Sequence, residues 1–120
     1  MGEIIKMNEL IKKIQQWSID RGLDQQSPDK QLIKLVEEVG ELAGGRNKQN
    51  TPVVTDSLGD MFVVMVIYCQ QMGLDIEECV STAVGEISDR KGQMVDGVFV
   101  KEADLDPYDV KSRLVTEDDR

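Results

Sequence analysis

Residues 51–73 form a long apolar segment with a helix start signal at one end and a stop signal at the other. Thr51-Pro52 is typical of an N-cap residue followed by proline at the first helical position, and Gly73 is typical of the residue just beyond a helix C-terminus. From Met61 onward the segment is apolar on every side. Its β-branched residues would also permit a strand, but the segment is too long for an ordinary one. A helix without a polar face must be surrounded by other helices, so the sequence predicts an all-α bundle with this helix at its centre.

Three further helices are predicted from apolar periodicity and end signals. The first runs from about Glu3 to Asp20 and is ended by Gly22. The second begins at Ser27-Pro28 and is stopped by Gly44-Gly45, and the fourth opens with a capping pattern over residues 75–78. The apolar stripes expected to face the core are Ile4, Met7, Ile11 and Ile14 in the first helix, Leu32, Leu35, Val36, Val39 and Leu42 in the second, and Ile76, Val80, Ala83, Val84 and Ile87 in the fourth.

The chain changes character after Gly92. Asp96-Gly97 between apolar residues is a strong signal for a two-residue β-hairpin turn. Beyond residue 102 acidic residues are frequent and large apolar ones are few. The sequence therefore predicts an all-α, four-helix bundle-like subunit with a short C-terminal hairpin, as one helical domain over residues 1–102 and an acidic tail over residues 103–120.

Composition excludes several kinds of chemistry. The 120 residues carry a net charge of −9, which excludes nucleic-acid binding through a basic patch. Histidine is absent, so no imidazole can serve as general base, triad member or zinc ligand. A glycine-rich phosphate loop ending in Lys-Ser/Thr is also absent. Any hydrolytic chemistry must then depend on carboxylates, which usually act on phosphates together with a hard cation.

The sequence favours a soluble, cytoplasmic protein that does not contact a membrane. The start, Met1-Gly2-Glu3, lacks the basic and apolar regions of a signal peptide. The longest uninterrupted apolar run, Met61 to Cys69, is less than half of a membrane span. Cys69 and Cys79 lie in apolar stretches without disulfide-framework spacing, so we interpret them as reduced core residues.

Acidic residues of the second and third helices are candidate metal ligands. Glu38 and Glu41 are three residues apart and lie on adjacent turns of one face. Asp60 begins a face that becomes fully apolar one turn later, and a half-buried carboxylate there needs a counter-charge. Either a divalent metal or one of the basic residues supplies it, and the basic candidates are Arg46, Lys48, Arg90 and Lys91. The alternatives are a solvated acidic face for the glutamates and a favourable helix-dipole position for Asp56.

The stretch Glu37-Glu38-Val39-Gly40-Glu41-Leu42, followed by Asp56-Ser57-Leu58-Gly59-Asp60 and an apolar helix, resembles the MazG-like group of the all-α NTP pyrophosphatase superfamily. The resemblance extends from about Leu10 through Glu102. The family signature is Glu-x-x-Glu on one helix and Glu-x-x-Asp on the next, and these acids hold magnesium. The resemblance implies Glu38, Glu41 and Asp60 as ligands of Mg²⁺, with Mn²⁺ as an alternative ion. Ser57 replaces the third acid of the signature, which leaves Asp56 or Glu37 to take over that role.

The resemblance also implies roles for other side chains. Glu37 and Glu41 are candidates to accept the proton of an attacking water. Arg90 and Lys91, at the end of the fourth helix, would face the phosphates, or would only complement the helix dipole. Trp17 would stack on the base, or would be packed in the bundle or in a subunit interface.

The function implied by the resemblance is Mg²⁺-dependent hydrolysis of nucleoside triphosphates to a monophosphate and pyrophosphate, as nucleotide-pool house-cleaning by a homodimer or homotetramer. A sibling pyrophosphohydrolase acting on another nucleotide-like metabolite is one alternative. A non-catalytic helical interaction module that has lost full metal binding is the other, and Ser57 is the residue that favours it.

Overall fold

The computed structural model describes residues 4–105, which form four helices and one antiparallel hairpin. The elements are α1 (Met7–Asp20), α2 (Asp29–Asn47), α3 (Thr51–Gln71), α4 (Ile76–Ser88), β1 (Gly92–Val95) and β2 (Val98–Lys101), with single 3-10 turns at Leu23–Gln25 and Glu102–Asp104. The predicted all-α fold with a C-terminal hairpin is confirmed. Most of the predicted acidic tail lies outside the described residues.

The chain divides into two compact units, the first ending at Val80 and the second beginning at Ser81. The division falls within α4, so each unit is described by itself. The boundary predicted between residues 102 and 103 stays a prediction.

Helix α3 is the centre of the first unit. Both α1 and α2 pack against it, and it contributes the buried apolar residues Val64, Val66, Ile67 and Cys69. A core cluster joins Ile11 of α1, Val66 and Cys69 of α3, and Ile76 at the start of α4. The predicted central position of this helix is therefore confirmed.

By length and composition, α3 is also the one helix among residues 4–105 that could cross a membrane. The core helix of a soluble protein satisfies the same test, and α3 is packed between α1 and α2. The expectation that the protein is soluble and does not contact a membrane stays a prediction.

Most of the helix ends follow the predicted signals. Gly22 and Gly73, just beyond α1 and α3, both have φ of +70°, a left-handed conformation that favours glycine. Asp75 caps α4, because its Oδ1 accepts a hydrogen bond of 2.8 Å from the Glu77 amide. The cap of α3 differs from the prediction: the side chain of Asn50, rather than Thr51, accepts from the Val53 amide.

The predicted stop at Gly44-Gly45 is wrong, because α2 continues through both glycines to Asn47. Gly45 is buried against α3, and a Cβ at this position would lie 2.7 Å from Cγ1 of Val53. Gly44 has no heavy atom within 4 Å of such a Cβ. Gly45 therefore serves the close approach of two helices and does not end one.

The face of α2 that packs toward α3 also differs from the prediction. Its buried residues are Gln31, Glu38 and Gly45, spaced seven apart. Leu35 and Leu42 of the predicted stripe are half-buried, whereas Val36 is 67% exposed. Leu32 and Val39 are exposed as well, so α2 carries an exposed apolar row defined by Leu32, Val36 and Val39.

Helix α4 shows a similar difference. Ile76 is buried, but the rest of its predicted apolar stripe is exposed. Ile4 and Met7 of the first helix's stripe are exposed too, while Ile11 is buried and Ile14 half-buried. Periodicity identified these helices correctly but did not determine how much of each apolar face this chain covers.

The hairpin belongs to the second unit and forms as predicted. Asp96 and Gly97 have φ of 51° and 80°, which matches a turn that needs two positive φ values. The register pairs Val95 with Val98 and Gly92 with Lys101. A side chain at Gly92 would collide with the carbonyl of Val100, so glycine is required there.

The two adjacent glycines of α2 give a matched test of this packing. We expect Gly45→Ala to lower the free energy of unfolding by about 1–3 kcal/mol, because the new methyl overlaps the Val53 side chain. We expect Gly44→Ala to raise it by about 0.5–1 kcal/mol, because alanine costs less backbone entropy in a helix. Urea denaturation measures both changes.

Val53→Ala provides the control for the steric explanation. Combined with Gly45→Ala, it should cost less than the sum of the two single changes, because the truncated side chain leaves room for the methyl. Additive costs would contradict a direct contact between these residues.

Candidate active site

Glu38 places a carboxylate between α2 and α3. It lies on the face of α2 that packs toward α3 and is only 9% exposed. Its Oε2 atom is buried and has no hydrogen-bond partner. A buried carboxylate oxygen without a partner is costly unless a proton or a cation satisfies it.

The pKa of Glu38 is raised above its ordinary value. Burial is the main cause, and the negative charges of Glu41 and Asp60 add to it. A hydrogen bond with Glu41 also favours the protonated form, while the positive charge of Lys34 acts in the opposite direction. Glu38 is therefore surrounded by more negative than positive charge.

The pKa of Asp60, on α3, is raised for similar reasons. Burial is again the largest cause, followed by the charge of Asp56, a hydrogen bond with Asp56 and the charge of Glu41. Lys34 again opposes the rise. The structure thus brings together, from two helices, the four residues that the sequence suggested as metal ligands, which we call the acidic cluster: Glu38, Glu41, Asp56 and Asp60.

Lys34 is a site residue that the sequence analysis missed. Its charge acts on both Glu38 and Asp60, whereas none of the basic residues considered from the sequence acts on either carboxyl. The signal was available, because Lys34 precedes Glu38 by four residues and such residues are neighbours on a helix. Lys34 is exposed, so its ammonium group lies at the solvent side of the cluster.

The acidic cluster fits a hard divalent cation in its chemistry. Carboxylate oxygens are the ligands that Mg²⁺ and Mn²⁺ prefer, and the unpartnered Oε2 of Glu38 is available to bind one. Among residues 4–105, no three acidic or cysteine side chains converge closely enough to hold one ion as they stand. Glu41 and Asp56 are exposed, so side-chain rotation is open to both, and binding one ion with three carboxylates requires such a movement.

Ser57 and Glu37 differ sharply in environment. Ser57, at the position of the third signature acid, is buried with 2% exposure. Glu37 is exposed and does not contribute to the pKa shift of Glu38 or Asp60. Asp56 contributes to the pKa shift of Asp60, so of the two candidates for the third acid it is Asp56 that interacts with the rest of the cluster.

Trp17 lines an apolar cavity of about 340 Å³ together with Lys13, Ile14 and Val63. Val63 follows Asp60 by three residues on α3, so the cavity begins about one helical turn from the acidic cluster. Trp17 is 47% exposed, and the guanidinium of Arg21 lies 4.2 Å from its ring centroid. Trp17 is therefore not packed inside the bundle, and the base-contact and interface hypotheses remain.

A second cavity of about 340 Å³ adjoins Glu41 at the turn between α2 and α3. Gly44, Gly45, Lys48, Asn50 and Val53 complete its lining. The lining thus includes one acidic and one basic residue, Glu41 and Lys48. The sequence analysis considered Lys48 only as a partner of Asp60.

Arg90 and Lys91 belong to the second unit, where they link α4 to the hairpin. Arg90 is half-buried, Lys91 is exposed, and the Lys91 carbonyl accepts a hydrogen bond from the Glu102 amide. Their predicted contact with phosphates stays a prediction.

The helical fold agrees with the comparison to known families. Residues 26–95, which are more than half of the chain, match the MazG nucleotide pyrophosphohydrolase domain. The chain therefore belongs to the MazG family, as the resemblance of its acidic motifs predicted.

A curated relative shares the same region. The chain is 51% identical over 70 residues to an uncharacterized 18.2 kDa protein from the rep-hol intergenic region of Haemophilus phage HP1 (strain HP1c1). The match covers 58% of this chain and 43% of the relative, so the chain spans less than half of the relative's length. No solved structure matches the chain.

The raised pKa values predict how charge affects the stability of the metal-free protein. The folded state raises the pKa of Glu38, so it favours the neutral form of this carboxyl. The carboxyl therefore does not destabilise the fold below the ordinary glutamate pKa. Stability is lost as pH rises through the folded-state pKa and the carboxyl ionises. We therefore expect Glu38→Gln to be more stable than the wild type at neutral pH in EDTA. The difference in the free energy of unfolding between the variant and the wild type should disappear below about pH 4, where glutamate is protonated. Urea denaturation across pH measures it.

Glu37→Gln is the matched control, since it removes the same charge from the adjacent, exposed position. It should leave the free energy of unfolding nearly unchanged at each pH. A wild type that is more stable than Glu38→Gln at neutral pH without divalent ions would contradict the repulsion described here.

Proposed function

We propose that the protein hydrolyses nucleoside triphosphates to a monophosphate and pyrophosphate with the help of Mg²⁺. The observation that carries this proposal is the acidic cluster, in which a buried and unpartnered carboxylate oxygen of Glu38 lies among three further acids from two helices. Membership of the MazG family supports the reaction class.

Charge makes a cation necessary for this reaction. A nucleoside triphosphate brings about four negative charges to a protein whose own net charge is −9, so the two repel. Glu38, Glu41, Asp60 and Asp56 would hold Mg²⁺, or Mn²⁺ in its place. When bound, the ion would neutralise phosphate charge and lower the pKa of a bound water.

The chain's own side chains supply the rest of the chemistry. Glu41 is an exposed member of the cluster, so we propose that it accepts a proton from the attacking water. Glu37 is the alternative acceptor, and its exposure leaves it free of competing interactions with Glu38 and Asp60. Asp56 takes the part of the missing third acid, because its charge already acts on Asp60.

The apolar cavity beside Trp17 is suited to a nucleobase. Its lining combines the indole ring of Trp17 with the aliphatic side chains of Ile14 and Val63, and Lys13 completes it. A base held there would leave the phosphates to reach the acidic cluster about one helical turn away. Arg90 and Lys91 would add positive charge toward those phosphates.

We propose a homodimer or homotetramer in the cytoplasm, with no nucleic-acid or membrane partner. The exposed apolar row of α2 supports the assembly, because isolated water-soluble subunits rarely leave such a contiguous face uncovered. The same row would equally serve a non-catalytic helical interaction module, for which the buried Ser57 is the specific observation. A sibling activity on another nucleotide-like metabolite would use the same cluster.

A pyrophosphate-release assay separates these functions. We expect the purified chain to release pyrophosphate from ribo- or deoxyribonucleoside triphosphates in the presence of Mg²⁺. Excess EDTA should abolish this release. Asp60→Asn should lower the rate by at least about 100-fold, because the cluster loses a charge that offsets the cation. Mg²⁺ should also raise the melting temperature of the wild type more than that of Asp60→Asn.

Asp20→Asn is the matched control, because this exposed carboxylate at the end of α1 is outside the cluster and the variant keeps the oxygen that accepts from Gln16. It should retain wild-type activity. A wild type that is inactive on every nucleotide and whose melting temperature ignores Mg²⁺ would support the interaction module instead. Activity only on other pyrophosphate-containing nucleotides would support the sibling enzyme.

The role of Asp56 can be tested at Ser57. We expect Ser57→Glu to tighten Mg²⁺ binding on the order of tenfold, because one more carboxylate joins the ligands at the family's own position. The concentration of Mg²⁺ that gives half of the maximal thermal shift measures this change. Ser57→Gln has the same size without the charge and should not tighten binding. Equal Mg²⁺ affinities of Ser57→Glu and the wild type would contradict the view that Asp56 replaces the third signature acid imperfectly.

A further inference from the structure

Cys69 and Cys79 are close in space, and the backbone between them is tightly fixed. Helix α3 ends just after Cys69, and Gly73 turns the chain with a φ of +70°. The Leu74 amide donates a 2.8 Å hydrogen bond back to the Cys69 carbonyl. Asp75 then caps α4, and its carbonyl accepts from the Cys79 amide at 3.0 Å.

Side-chain packing brings the start of α4 close to the end of α3. Cys69 and Ile76 belong to one buried cluster, so the first turn of α4 packs on the last turns of α3. Cys79 follows Ile76 by three residues and therefore lies on the same side of α4. Cys79 is near enough to Cys69 to raise its pKa through the interaction of the two side chains, and neither residue forms a disulfide.

The two thiols differ in access to solvent. Cys69 is buried and Cys79 is exposed, which corrects the expectation that both are core residues. A dissolved oxidant can therefore reach the sulfur of Cys79 directly, while Cys69 is shielded by α3 and α4.

We propose that Cys69 and Cys79 form an oxidation site that closes into an intramolecular disulfide when the protein meets a peroxide. Cys79 is the thiol that meets the oxidant, and Cys69 is the thiol that resolves the product. Both cysteines lie within the first unit, and no residue of the acidic cluster is among the causes of the Cys69 pKa shift.

The reaction balances in two steps with hydrogen peroxide as the oxidant. The Cys79 thiolate attacks one peroxide oxygen, so that an S–O bond forms, the O–O bond breaks and hydroxide leaves to become water. Cys69 then loses its proton and attacks the sulfur of the Cys79 sulfenic acid, so that the S–S bond forms and a second water leaves. Two thiols lose two electrons, and one peroxide gains them.

The environment of Cys69 supports this order. Burial raises the pKa of the Cys69 thiol, and the neighbouring Cys79 and Asp75 raise it further. Only the thiolate is an effective nucleophile, so Cys69 reacts poorly with an oxidant in solution. Beside a sulfenic acid on Cys79, proximity compensates for the small thiolate fraction.

The test treats the whole chain with hydrogen peroxide, unfolds it in guanidinium with a maleimide present, and determines the mass. We expect the wild type to lose about two mass units and to take up no maleimide. Reduction with dithiothreitol before unfolding should restore two maleimide sites. The oxidised wild type should also melt at a higher temperature than the reduced protein, because the bond restricts the unfolded chain.

Cys79→Ser changes only an exposed residue and provides the control. Its single remaining thiol, Cys69, should still take up maleimide after the same exposure to peroxide, and its melting temperature should not rise. The proposal is overturned if the wild type instead forms only disulfide-linked dimers. It is equally overturned if Cys79 gains two or three oxygen atoms while Cys69 still takes up maleimide.

Discussion

The burial of the Glu38 carboxylate between α2 and α3 is the interaction on which the rest of the site depends. Glu41 lies on the same side of α2 because it follows Glu38 by three residues, and Asp60, with Asp56, lies near them on α3. The arrangement is electrostatically unfavourable in the absence of a cation, since within residues 4–105 Lys34 alone opposes the repulsion at Glu38 and Asp60. Packing elsewhere must hold the two helices together, and α2 packs against α3 along a contact that includes the close approach of Gly45 to Val53.

The sequence predicted those features of the fold that local chemistry decides. Asp96-Gly97 specifies a turn, Gly73 ends a helix and Asp75 begins the next one, because each residue meets a local backbone requirement. The central position of α3 was predictable for a related reason, since a helix that is apolar all round has no side to present to water. The helix end predicted at Gly44-Gly45 was wrong, because Gly45 is needed for the close packing of two helices. Local sequence cannot distinguish such a glycine from one that ends a helix.

The acidic cluster was partly predictable. The spacing of its four carboxylates, together with the family resemblance, was enough to select them. The sequence pattern nevertheless placed the core-facing side of α2 on its aliphatic residues, whereas the structure turns Gln31 and Glu38 toward α3. Which side of α2 faces α3 depends on how the two helices fit together, and the hydrophobic pattern of one helix does not carry this information. The pairing of Cys69 with Cys79 was missed for the same reason, because it depends on the direction in which the chain leaves the Gly73 turn.

Helix α2 therefore presents two unlike surfaces less than one helical diameter apart. One holds acids against α3, and the other exposes Leu32, Val36 and Val39 to water. Covering the aliphatic surface would remove water from behind the acids and lower the effective dielectric constant around them. The coulombic interactions of the acids on α2 would then become stronger. The affinity of this side of the helix for cations would therefore depend on what packs against its opposite side.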